Sequence, residues 1–151
     1  AEHRDIPGMI ALLHQVGQVH HDIRPDIFRD GALKYDEAAL EQLLKEEDKP
    51  IFVAVEQDFV AGYCFCILEQ TQNHPVLMDD KTLYIDDLCV DEAARGKGVA
   101  TELFRHVTAA AKAEGANFIT LNVWEGNSAL KFYEKMGMKP RKTTLDLPLE
   151  D

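Results

Sequence analysis

Apolar positions recur along this chain with two different periods, and the change of period divides it. Met9, Ile10, Leu13 and Val16 recur at helical spacing, one side of a helix. Asp5-Ile6-Pro7-Gly8 just before them reads as a helix start, with Asp5 as cap and Pro7 in the first turn. From His20 to Arg29 the period fails, the residues turn polar and Pro25 intervenes, which predicts a loop or broken helix of the kind that often carries binding groups. Asp36 is placed to cap a second helix with a core stripe of Leu40, Leu43 and Leu44.

The pattern then becomes β-like. Ile51 to Glu56 and Phe59 to Leu68 are β-rich and separated by Gln57-Asp58, which predicts a hairpin. Thr82 to Val90 reads as a third strand. Thr101 to Glu114 returns to helical spacing through Leu103, Phe104, Val107, Ala110 and Ala111, with Gly115 ending it. Phe118 to Trp124 predicts a fourth strand, and Ser128 to Met136 a short helix stopped at Gly137. Lys142 to Leu149 alternates as a last strand, with Pro148 at an edge or strand end. The second half therefore alternates strand and helix, which predicts parallel pairing, after a helical pair and an antiparallel hairpin.

Composition narrows the class. With 151 residues and 46% hydrophobic positions, the chain can bury one sizeable core and reads as one domain. A formal net charge of -11 argues against a nucleic-acid partner and favours a cationic substrate, although acidity can equally serve solubility alone. The three cysteines, Cys64, Cys66 and Cys89, are odd in number and lack metal-ligand spacing, so no metal is expected. Cys64 and Cys66 alternate in an apolar run, which predicts buried strand thiols in a reducing cytosol; a catalytic Cys89 is the weaker alternative. No stretch approaches about 20 apolar residues and no signal-peptide pattern opens the chain, so a cytoplasmic protein without a membrane partner is expected.

The chemistry concentrates in Val90-Asp91-Glu92-Ala93-Ala94-Arg95-Gly96-Lys97-Gly98-Val99-Ala100-Thr101, a strand that ends, turns through glycines and opens into a helix. Glycines let backbone approach a ligand closely, and a helix start offers unpaired N–H groups at the positive end of its dipole. That combination suits phosphate. The P-loop pattern G-x-x-x-x-G-K-S/T is absent, and the dinucleotide pattern G-x-G-x-x-G lacks its third glycine because Thr101 stands there.

What remains is Arg95-x-x-Gly98-x-Ala100. It resembles the pyrophosphate-binding signature of the GNAT superfamily of N-acetyltransferases, usually Arg/Gln-x-x-Gly-x-Gly/Ala. The preceding strand Leu83 to Val90, the following strand Ile119 to Trp124, and the segment from Ala129 through Tyr133 to Gly137, which looks like the family's A-x-x-x-Y-x-x-x-G-F, occur in the right order. The resemblance is strong over about Leu83 to Leu147; the first half agrees only in order of elements. It implies an α/β (α+β) acyl-CoA N-acyltransferase fold, a mixed central sheet flanked by helices whose splayed central strands hold CoA. Residues 1–151 would form a single N-acetyltransferase domain with the family's first strand largely missing. The family's asparagine, seven residues before the tyrosine, is Gly126 here, and Asn127 follows it.

The resemblance also implies roles. Backbone N–H groups of Gly96, Lys97, Gly98, Val99, Ala100 and Thr101 would hold the pyrophosphate of acetyl-CoA, Arg95 would touch phosphate or brace the loop, and Asn127 would assist. The backbone of Leu88, Cys89 and Val90 would line the pantetheine arm and polarise the acetyl carbonyl. Tyr133 matches the family's general acid, although Ala129, Phe132, Tyr133 and Met136 also share a helical face and allow a purely structural aromatic. Asp86 and Asp87 sit mid-strand, where aspartate is disfavoured, and strict alternation points them to opposite faces. One of them would anchor the amine or take its proton; a solvated or interfacial carboxylate is the alternative. His20, His21 and Phe28 lie where the family builds its substrate wall. The implied activity is direct acetyl transfer to a primary amine, small or peptidic, by a possible homodimer. The alternatives are a non-catalytic acyl-CoA sensor and a nucleotide-binding regulatory domain.

Overall fold

The computed structural model describes residues 1–31 and 33–149. After a 3₁₀ turn at His3–Asp5 come α1 (Ile6–Ile23), α2 (Glu37–Leu43), β1 (Ile51–Glu56), β2 (Phe59–Thr71) and β3 (Asp80–Val90). A second 3₁₀ turn, Glu92–Ala94, leads to α3 (Val99–Ala113), β4 (Phe118–Leu121) and α4 (Ala129–Lys135). One sheet runs in the order β1-β2-β3-β4, antiparallel through β3 and parallel between β3 and β4, with α3 as the crossover.

The expected elements form for the expected reasons, with informative exceptions. Gln57 and Asp58 both take positive φ, the geometry of a two-residue hairpin turn whose twist matches its strands. Asp36 accepts the Ala39 N–H at 2.8 Å and caps α2. Asp5, by contrast, does not cap α1: its carboxylate turns back to the Glu2 N–H at 2.7 Å. Helix α1 runs on through His20 and His21 to Ile23, so only the residues after it form the predicted loop.

The sheet separates two cores. On one face Met9, Leu12 and Leu13 of α1 and Leu40 of α2 pack on Tyr63, Phe65 and Cys89. On the other, Phe104, Val107 and Ala111 of α3 and Tyr133 of α4 pack on Cys64, Cys66, Leu83 and Ile85.

The predicted last strand, Lys142 to Leu149, does not form. Its leucines alternate, but alternation supplies only an apolar face, and a strand also needs a neighbour to complete its backbone hydrogen bonds. Among the described residues no strand pairs with it, and Leu145, Leu147 and Leu149 stay 81–91% exposed. No helix among the described residues is long and apolar enough to cross a membrane.

Candidate active site

A break in strand register builds the site. Phe65 pairs with Asp87 and Cys66 with Ile85, leaving Asp86 as the extra residue of a bulge in β3. Leu83, Ile85 and Leu88 face the α3 side, whereas Asp87 and Cys89 face the α1 side. The bulge places Asp86 on the α1 side too, so the two carboxylates share a face, contrary to strict alternation. Asp86 accepts the Tyr35 hydroxyl at 2.8 Å and pairs with the Lys34 ammonium at 3.0 Å. Asp87 accepts the Tyr63 hydroxyl at 2.7 Å. Burial pushes the Asp87 carboxyl above the usual range, and the bond from Tyr63 opposes that shift. Burial, and then the neighbouring carboxylates, raise both phenols well above their ordinary range, so both stay donors.

Beside the bulge the sheet opens. The last β3–β4 pair is Ile85 with Leu121, while β3 continues to Val90 on the β2 side. The fourth strand therefore ends at Leu121, not Trp124 as predicted, and Asn122 to Trp124 part from Asp86 to Val90. At the far end of that stretch lies the glycine loop. Gly96 and Gly98 take φ of 81° and 80°, and open space surrounds the place a Cβ would occupy on either. Among the described residues the N–H groups of Gly96 through Thr101 donate to no backbone carbonyl; the ladder of α3 begins with Glu102 N–H to Gly98 O at 3.0 Å. A pyrophosphate fits these donors: they are consecutive, unpaired, at a long helix's positive end, and flanked by the exposed Arg95 and Lys97.

Tyr133 lies in the core on the α3 side of the sheet, packed with Cys64, Cys66, Leu83 and Ile85. It is buried against Phe104 and Phe132, and the end of α4 is tied down because the Met138 N–H bonds the Tyr133 carbonyl at 3.0 Å. Burial, reinforced by Cys64, Asp87 and Cys89 nearby, raises its hydroxyl well above the ordinary phenol value. Such a group is a proton donor at neutral pH and a poor base. Cys89 is a poor nucleophile: burial pushes its thiol up to about 12 and the sulfur lies against the Leu12 carbonyl at 3.7 Å.

The remaining expected residues have other local tasks. His20 stacks on Phe28 at 5.0 Å, and Phe28 meets Trp124 edge-on at 5.2 Å, forming an aromatic wall. His21 braces that wall through the Phe28 carbonyl at 2.8 Å. Arg24 lies over Trp124 at 5.8 Å and bonds Asp26 at 2.9 and 2.8 Å and Asp146 at 3.2 Å, joining the loop, the wall and the C-terminal segment. Asn127 accepts the Ala129 N–H at 2.9 Å, at the start of α4. Lys34, Tyr35, Tyr63, Arg24 and Trp124 escape a reading of sequence pattern. Tyr35 and Tyr63 stand 51 and 24 residues from their aspartates, so only the fold reveals the pairs.

The mixed sheet flanked by helices, with parallel strands that part beyond Ile85 and Leu121, agrees with the fold that the sequence resemblance implies. The model of the Acetyltransferase (GNAT) family matches residues 16–138, and the chain belongs to that family. No curated protein matches by sequence. Among solved structures, a tetramutant of the BH1408 protein from Bacillus halodurans is similar with a TM-score of 0.94 and 32% identity, over 99% of this chain and 97% of that one. An acetyltransferase of Trypanosoma brucei shares the fold with a TM-score of 0.72 at 18% identity, covering 99% of this chain and 96% of its own. An aminoglycoside acetyltransferase from an uncultured soil metagenomic sample does so with a TM-score of 0.72 at 21% identity, covering 99% and 95%.

Proposed function

We propose that residues 1–151 form a single cytoplasmic N-acetyltransferase domain that moves the acetyl group of acetyl-CoA to a primary amine, by direct attack within a ternary complex. The observation that supports this reading is a run of unpaired donors at Gly96–Thr101 that follows a β3 parted from β4, with two carboxylates at the bulge where the strands separate.

Acetyl-CoA supplies an activated acyl group as a thioester. The loop donors from Gly96 to Thr101 would hold its pyrophosphate, with Arg95 and Lys97 adding positive charge. The backbone of Leu88, Cys89 and Val90, on the part of β3 that has left β4, would line the arm and polarise the carbonyl. Asp87, already short of solvent, would accept the proton of the incoming ammonium; Asp86 would hold that ammonium in place. Tyr133 would protonate the departing sulfur. Phe28, His20 and His21 would shape the acceptor wall, and the net charge of -11 would draw a cation toward it.

A panel of primary amines, small and peptidic, assayed for CoA release tests the reading. Release with at least one amine, abolished when Gly98 is replaced by valine, is the expected result. Thermal shift with acetyl-CoA, ATP and NAD accompanies it: stabilisation by the nucleotides and not by acetyl-CoA would refute the reading. Stabilisation by acetyl-CoA without release for any amine would mark a sensor.

A further inference from the structure

The link between α1 and α2 brings an amine of this chain to the acceptor carboxylates. Among the described residues, Lys34 is the lysine whose ammonium reaches a carboxylate on β3, at 3.0 Å from Asp86, while Lys49 and Lys81 pair with Glu46 and Glu114 elsewhere. The next residue is pinned: the Tyr35 hydroxyl bonds the same carboxylate, and its ring packs on Phe65 at 5.3 Å. The Lys34 side chain itself is 46% exposed, so its flexible four-carbon stem can swing from Asp86 into the adjoining opening. A primary amine tethered beside the strand that borders the opening has a high effective concentration there.

We propose that the protein acetylates its own Lys34, within one chain, when it is loaded with acetyl-CoA. The inference rests on the acetyltransferase reading above. The Lys34 ammonium gives one proton to the carboxylate at the bulge, and the neutral Nζ attacks the thioester carbon. The new C–N bond forms as the C–S bond breaks, the sulfur takes a proton from Tyr133, the second proton lost by the amide nitrogen passes through solvent to restore the Tyr133 phenol, and the carboxylate gives its proton to solvent. The balance is one acetyl-lysine, one CoA thiol and one proton released to solvent. The product carries no charge. Asp86 then keeps only the Tyr35 hydroxyl and lies open to the ammonium of an external acceptor.

The test is mass spectrometry of the intact protein and its peptides after incubation with acetyl-CoA and no added amine, with thermal shift on the same samples. The expected result is a gain of about 42 Da, one acetyl group, on the peptide holding Lys34, absent in Lys34→Arg and slowed about 100-fold in Tyr133→Phe. Its first-order rate is expected to stay constant over a tenfold range of protein concentration. Modification of Lys81 or Lys142 as fast as Lys34 would mean chemical acetylation and overturn the proposal, as would a rate that rises with protein concentration. Thermal stabilisation by acetyl-CoA with Lys34 unmodified would overturn it while leaving the acetyltransferase reading intact. Absence of stabilisation as well would strike at that reading first.

Discussion

Tyr63 and Asp87 meet diagonally across adjacent strands, the phenol donating to the carboxylate at 2.7 Å from two positions before Phe65, the residue directly opposite Asp87. This pair decides how Asp87 titrates, because burial raises its carboxyl and the Tyr63 bond is the leading counterweight. An Asp87 that works as a base must be deprotonated. The acid limb of kcat/KM is therefore expected above the ordinary aspartate value of about 3.9, and Asp87→Asn is expected to remove most turnover. A pH–rate profile of both proteins checks this; an unchanged profile in the variant would exclude Asp87.

Tyr63→Phe tests the counterweight. Without the donor, the carboxylate loses the contact that favours its charged form, so the acid limb is expected to move to higher pH. Turnover on the alkaline plateau is expected to change little. The vacated acceptor also costs about 1–3 kcal/mol of stability, readable by urea denaturation. A structural role alone would lower stability and leave the limb where it was.

Stability should follow the same carboxyl with a definite sign. A carboxyl raised on folding binds its proton more tightly in the native state, so its contribution is complete below the unfolded value and is lost as pH rises through the folded one. Asp87→Asn cannot ionise. The variant's stability relative to the parent is therefore expected to improve as pH rises from about 4 toward neutrality, measured as Tm at a series of pH values. A difference that stays flat would mean that Asp87 is not raised.

Tyr133→Phe removes a hydroxyl and leaves the packing on Phe104 and Phe132 in place. Turnover is expected to fall about 100-fold, with acetyl-CoA affinity unchanged by calorimetry. Turnover equal to the parent would reduce Tyr133 to a core aromatic.

Much of this architecture is legible in the chain, and the limits have physical causes. Helical spacing locates α1 and α3 because each must bury one stripe, and Gln57-Asp58 locates the hairpin because its length admits few turns. The turn at the glycine loop is legible because two glycines at short spacing before a helical stripe admit positive φ and leave the helix's first N–H groups unpaired. Asp86 is misplaced by alternation because a bulge is set by the register between two strands, which neither strand encodes alone. Lys142 to Leu149 is misread for a related reason: its period is that of a strand, but pairing depends on a neighbour distant in sequence. Lys34 is invisible as a partner of Asp86 because the contact arises only when the α1–α2 link folds over the bulge.

Gly62 holds the loop in place, although it lies on β2. A Cβ there would stand 2.9 Å from Leu103 Cδ1, 3.0 Å from the Cys89 carbonyl oxygen and 3.1 Å from Val99 Cγ1. The start of α3 thus packs directly on the strand pair that borders the opening, and only a residue without a side chain permits the approach. The leucine terminus can rotate aside, but the Cys89 carbonyl belongs to β3 and Val99 begins the helix, so neither yields without moving the site. Gly62→Ala is expected to cost about 1–3 kcal/mol as overpacking, and to weaken acetyl-CoA binding by shifting the donors between Gly96 and Thr101. Leu103→Ala combined with Gly62→Ala relieves the nearest contact but not the other two. Measured against Leu103→Ala alone, which already loses a buried side chain, Gly62→Ala should therefore cost less stability than it does in the parent while its effect on affinity persists, read by urea denaturation and calorimetry on the same preparations. Loss of both effects in the Leu103→Ala background would mean that the leucine contact alone sets the packing and that the loop is indifferent to Gly62.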